Sequence, residues 1–101
     1  WALEAKYRRR ADEHNANVNT KVYPNPAVGQ FNLELNINDG DQLDVALYDV
    51  SGKLVKELES GFFATGTHRM TYDVSTLPQG LYSVRVASSR GAAITRLSLI
   101  K

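Results

Sequence analysis

"QFNLELNI", residues 30 to 37, decides the fold class. Phe31, Leu33, Leu35 and Ile37 fall on one parity, while Asn32, Glu34 and Asn36 fall on the other. A period of two is the signature of a strand with one buried face and one wet face. Working outward, the same period recurs on both sides. "LDVALYDV" puts Leu43, Val45 and Leu47 on one face. "THRMTYDV" does so with Met70, Tyr72 and Val74, and "LYSVRVA" with Tyr82, Val84 and Val86. "KLVKELE" is a strand of mixed polarity, which suits a position near a sheet edge. "TKVY" precedes the group and "AAITRLSLIK" follows it.

The breaks between these runs carry turn residues. "NDGD" reads as a hairpin through Asp39-Gly40. "DVSG" needs Gly52 in a left-handed conformation. "GFFATG" reads as a loop with Gly at both ends, "STLPQG" as a type I turn with Pro78 second and Gly80 fourth, and "SSRG" as a further turn. About seven short antiparallel strands and no long helical pattern predict an all-β chain, a small immunoglobulin-like β-sandwich.

One hundred and one residues suit a single domain, and 43% hydrophobic residues are enough for one core. Residues 1 to 20 read differently. "WALEAKYRRRADEH" spaces Leu3, Tyr7 and Ala11 for one face of a short helix, and "NANVNT" reads as a helix stop and linker. These twenty residues are expected to be a short helical or flexible extension, a linker or the tail of a preceding region. The chain opens on Trp1 rather than Met, as a fragment or processed product would. The sandwich is expected from Lys21 to Lys101.

Several function classes lose support here. There is no cysteine, so disulfides, thiolate metal sites and cysteine nucleophiles are excluded. From Lys21 onward eight basic residues balance eight acidic ones, unlike a nucleic-acid binder. "RRR" at positions 8 to 10 reads as a solvated helix face. His14 and His68 lie at no metal-ligand spacing, and no nucleophile elbow supports a Ser–His–Asp triad. His68 reads as a solvent-facing strand residue. Asp39, Asp41 and Asp44 around Gly40 miss the EF-hand register, so the plain Asp-Gly hairpin is preferred to a loose calcium site. Tyr48, Tyr72 and Tyr82 fit core or interface roles as well as a glycan-stacking platform. No cofactor, metal, nucleic acid or small-molecule substrate is expected, and no apolar run approaches transmembrane length.

"VYPNPA", residues 22 to 27, marks the boundary between the two regions. Pro24 and Pro26 lack amide donors and favour extended backbone, so the segment cannot prolong a helix or pair fully as a central strand. An ordinary turn explains each of these residues singly.

Four landmarks in order resemble a known family. They are Y-P-N-P at Tyr23, Pro24, Asn25 and Pro26, then Y-D-x-x-G-K from Tyr48 to Gly52 and Lys53. G-L-Y follows at Gly80 to Tyr82, and the basic-apolar end runs from Arg96 through Leu97 and Leu99 to Lys101. Together they resemble the type A C-terminal sorting domain of type IX secretion cargo, over Lys21 to Lys101. The closing motif often has lysine where Arg96 stands here, with the charge kept.

The resemblance implies a non-enzymatic signal that directs cargo from the periplasm through an outer-membrane translocon. An outer-membrane barrel protein would act as shuttle, and a surface sortase-like cysteine protease would remove the domain. The cargo would end at the cell surface or be secreted, often attached to an anionic lipopolysaccharide. It also implies that the twelve landmark positions named above, outside the Tyr48 to Ser51 stretch and Leu81, serve recognition. The accessible cleavage region is expected at Asn15, Ala16, Asn17, Val18, Asn19 and Thr20. The alternative is an immunoglobulin-like adhesive or glycan-binding module of a bacterial surface enzyme. Leu97 to Lys101 forms a strand expected to fray or sit at a sheet edge, open to strand addition by the shuttle.

Overall fold

The computed structural model describes residues 18 to 101. The helical extension expected over residues 1 to 14 lies outside the described residues. Seven strands follow one another: β1 (Val18–Val28), β2 (Gln30–Ile37), β3 (Asp41–Asp49), β4 (Leu54–Phe63), β5 (Gly66–Asp73), β6 (Gly80–Ser88) and β7 (Gly91–Leu99).

They form two sheets. One pairs β1, β2 and β5 antiparallel, and the other pairs β4, β3, β6 and β7 antiparallel. β1 joins them. Its first half pairs with β2 from Val18↔Ile37 to Tyr23↔Asn32, and its end meets β7 in parallel at Ala27↔Leu99. The strand order is therefore β4-β3-β6-β7-β1-β2-β5, with β4 and β5 at the edges. Pro24 and Pro26 stand where β1 leaves β2, since neither can donate to a ladder.

Alternation places the core as expected. Phe31, Leu33, Leu35 and Ile37 of one sheet share a single apolar cluster with Leu43, Val45, Leu47, Val84, Val86, Leu97 and Leu99 of the other. Each fully buried side chain of this size is worth roughly 1.5–3 kcal/mol over its exposed state. Phe31 also meets the Tyr72 ring at 5.6 Å. The Tyr72 hydroxyl donates to Glu59 Oε2 at 2.8 Å and so ties edge strand β5 to edge strand β4 across the sheets.

Four local readings need correction. Asp39-Gly40 is not a hairpin, because β2 and β3 belong to different sheets. A Cβ at Gly40 would stand 2.7 Å from Phe62 Cζ, so a side chain there displaces the exposed Phe62 ring. "GFF" belongs to β4, where Asp41, Gln42 and Leu43 pair with Phe63, Phe62 and Gly61. The hydrogen-bonded turn in "STLPQG" closes earlier, from Leu77 N to Val74 O at 3.1 Å. Finally, Val18, Asn19 and Thr20 are strand residues paired with Ile37, Asn36 and Leu35, so β1 begins before Lys21.

Candidate recognition surface

The Y-D-V-S-G-K stretch forms the β3–β4 hairpin as the sequence requires. Gly52 has φ +88°, and its N–H donates to Asp49 O at 3.0 Å. Asp49 Oδ1 accepts from Ser51 N, Ser51 Oγ and Lys53 N at 2.9, 2.6 and 3.0 Å. The Ser51 hydroxyl and then the Lys53 amide hold this carboxyl below the usual carboxylate range. Lys53 is exposed, and Val50 projects from the turn almost fully exposed.

Tyr23 to Pro26 and the last strand come together. Asn25 Nδ2 donates to Arg96 O at 3.0 Å, and Ser98 N donates to Asn25 Oδ1 at 2.9 Å. One side-chain amide thus does for β7 what a neighbouring strand's backbone would do. Ile100 N continues the pattern by donating to Ala27 O at 3.0 Å. Lys101 is tied as well, its N–H to Gln79 Oε1 at 3.2 Å and its Nζ to Ser75 O at 3.3 Å. The end of β7 is therefore neither frayed nor at a sheet edge, because β6 flanks one side while Asn25 and Ala27 hold the other. Leu97 and Leu99 are buried in the core and cannot meet a partner while the domain is folded.

Tyr82 is buried too, with its hydroxyl donating to Pro78 O at 2.6 Å, and Gly80 opens its strand. Tyr23 is partly exposed on the other sheet. Asn15, Ala16 and Asn17 lie outside the described residues. Val18, Asn19 and Thr20 are held in a ladder, which a protease needing extended free backbone cannot enter without opening β1.

The outer faces of the two sheets differ. On β2 and β5 the outward side chains are polar and paired: Thr71 to Asn32 at 2.6 Å, and Arg69 Nε to Glu34 Oε1 at 3.0 Å. On β3, β6 and β7 an open groove of about 480 Å³ lies over Tyr48, Val50, Leu81, Arg85, Ile94 and Arg96. Leu81 and Ile94 are more than half exposed. Sequence reading passed over Arg85, Leu81, Val50 and Ile94. The available signal was an apolar residue on the parity opposite to Tyr82, Val84 and Val86, and opposite to Leu97 and Leu99.

The remaining candidates are structural. His68 is half-buried on the Met70 and Tyr72 parity rather than solvent-facing. Its Nε2 lies 2.8 Å from Ala64 O, and its ring meets Phe63 edge-on at 5.2 Å. Asp41 accepts from Gln42 N and Ser89 Oγ, and Asp44 from Ser60 Oγ. Among the described residues no group of His, Asp and Glu is arranged to hold a metal.

The family model for the secretion system C-terminal sorting domain matches residues 21–101, most of the chain. The chain belongs to that family. It is a sorting domain of the type IX secretion signal family. Among curated proteins none matches this sorting domain. It shares its fold with a solved structure of PorZ from Porphyromonas gingivalis, described as an essential bacterial surface component of the type-IX secretion system. That similarity has TM-score 0.52 and 20% identity, and covers 81% of this chain and 11% of that one. The sorting domain thus spans about a tenth of the PorZ chain.

Proposed function

We propose that residues 18–101 are the export signal of a larger cargo protein, carried from the periplasm through the type IX outer-membrane translocon. An outer-membrane barrel shuttle receives the domain, and a surface cysteine protease then removes it. The observation that carries this reading is the family match over residues 21–101, with all four sequence landmarks inside it. Cleavage belongs before Val18, at Asn15, Ala16 and Asn17, since the residues from Val18 on are strand-paired.

The two sheets are taken as a closed immunoglobulin-like sandwich. Their shared core, the Tyr72–Glu59 link between edges and the Tyr82–Pro78 hydrogen bond support that architecture. A tyrosine hydroxyl bonded to backbone a few residues upstream is a recurring corner in such sandwiches. Of the exposed landmark residues, Lys53, Arg96 and Lys101 carry charged side chains suited to direct contact. Pro24, Asn25, Pro26, Gly52, Gly80, Tyr82, Leu97 and Leu99 serve recognition through the shape they maintain, and Tyr23 adds a partly exposed ring.

A pull-down of the purified outer-membrane shuttle by the 101-residue chain tests this reading. Capture is expected, weakened by Arg96→Glu with Lys101→Glu in a domain of unchanged urea stability. No capture, together with specific retention on a glycan array, would favour the adhesive alternative.

A further inference from the structure

Among the described strands, the first half of β7 has one neighbour, β6. β7 pairs with β6 without a break from Gly80↔Leu99 to Ser88↔Gly91, so the N–H and C=O groups of alternate residues point to β6. Even-numbered residues face the other way: Arg96 O and Ser98 N meet Asn25, and Ile100 N meets Ala27. The same alternation turns the N–H and C=O of Ala92 and Ile94 toward that side, where no described strand pairs with them. β1 has already crossed into the other sheet.

This open edge borders the apolar groove. Ile94 and Arg96 stand two residues apart on the outer face of β7, with Arg85 opposite Ile94 on β6. The Arg96 side chain has no acidic partner among the described residues. Asp49, which also lines the groove, spends Oδ1 on three donors of its own turn. Arg85 also borders a second groove lined by Asp44, Glu57 and Glu59, so Arg96 is the better-isolated cation.

We propose that the Gly91–Thr95 edge of β7, bordered by the Arg96 side chain, is a strand-addition site for a partner polypeptide segment. That segment carries an apolar side chain beside Ile94 and an acidic one two residues away beside Arg96. Backbone pairing supplies affinity, while the two side-chain positions supply selection. A free phosphate would use the arginines but neither the edge nor the exposed Ile94 and Leu81. The inference rests on the sorting reading only in placing the partner within the export machinery.

The test uses the full 101-residue chain, isotope-labelled, and the peptide Thr-Val-Thr-Asp-Thr-Val-Thr, which reads alike in both directions. Binding should slow hydrogen exchange at the Ala92 and Ile94 amides and shift their resonances. Arg96→Glu should weaken binding about tenfold, and replacing the peptide's Asp by Lys should restore it. Ile94→Pro removes an outward N–H without removing a β6 ladder bond, and should abolish the protection. Equal binding of the Asp and Lys peptides to the parent would overturn the proposal. So would displacement of the peptide by inorganic phosphate, or self-association of the chain through this edge. Failure of export with peptide binding intact would count against the sorting reading and not against this surface.

Discussion

Single residues in this domain divide into those that set backbone shape and those that close a polar ledger. Gly52 is of the first kind, for nothing lies within 4 Å of a Cβ placed there and the whole cost of a side chain is its φ of +88°. Gly52→Val should cost about 1–2 kcal/mol in urea unfolding. Gly40→Ala should cost less, because the atom it meets ends the exposed Phe62 ring, which can swing aside. A larger loss at Gly40 than at Gly52 would contradict this division. Asn25 is of the second kind. Asn25→Leu strips partners from Arg96 O and Ser98 N, and should cost about 1 kcal/mol because water can reach both groups. Faster hydrogen exchange at Ser98, confined to the end of β7, is the expected signature.

Asp49 makes a pH prediction at the same scale. Its folded pKa is depressed, chiefly by the Ser51 hydroxyl. The contribution is present above the ordinary carboxylate value of 3.8 and is lost as pH falls through the folded value. Asp49→Asn should lower the thermal midpoint at neutral pH and flatten its decline below about pH 4. A variant whose midpoint falls as steeply in acid as the parent's would show that other carboxylates, such as Asp41 and Asp73, carry the dependence.

Among the elements, strands were legible and connections were not. Period two in "QFNLELNI" and "LYSVRVA" reports one face of one strand, and the burial follows it residue by residue. Asp39-Gly40 looks like a hairpin in any window that sees only its neighbours. Whether β2 pairs with β3 is decided by β1, β5 and β6, which are distant in sequence. The Asn25 clamp was hidden for the same reason, since its partners lie more than seventy residues away. The residues that resemble the family were found, but the apolar groove beside them was not, because Leu81 and Ile94 are ordinary strand residues until their parity is weighed. The link between edge strands is testable: Tyr72→Phe should cost about 1 kcal/mol by removing the bond to Glu59. Burial, then Glu59, raises the Tyr72 pKa above its ordinary value of 10. The parent should therefore lose stability as pH climbs above 10, and Tyr72→Phe should lose this sensitivity.

At the scale of the molecule, the two outer faces assign the work. The β1-β2-β5 face is a paired polar surface that water satisfies. The β3-β6-β7 face exposes apolar side chains and arginines beside the Y-D-V-S-G-K turn. The Y-P-N-P segment secures the last strand beneath that face instead of simply turning the chain. Sorting on this account is a property of the folded domain. The most direct measurement is surface exposure of an inert periplasmic reporter fused ahead of residues 18–101 in a strain competent for type IX secretion. The account predicts reporter at the cell surface, dependent on the translocon and absent when the fusion partner is omitted. Reporter held in the periplasm behind a folded domain would contradict it.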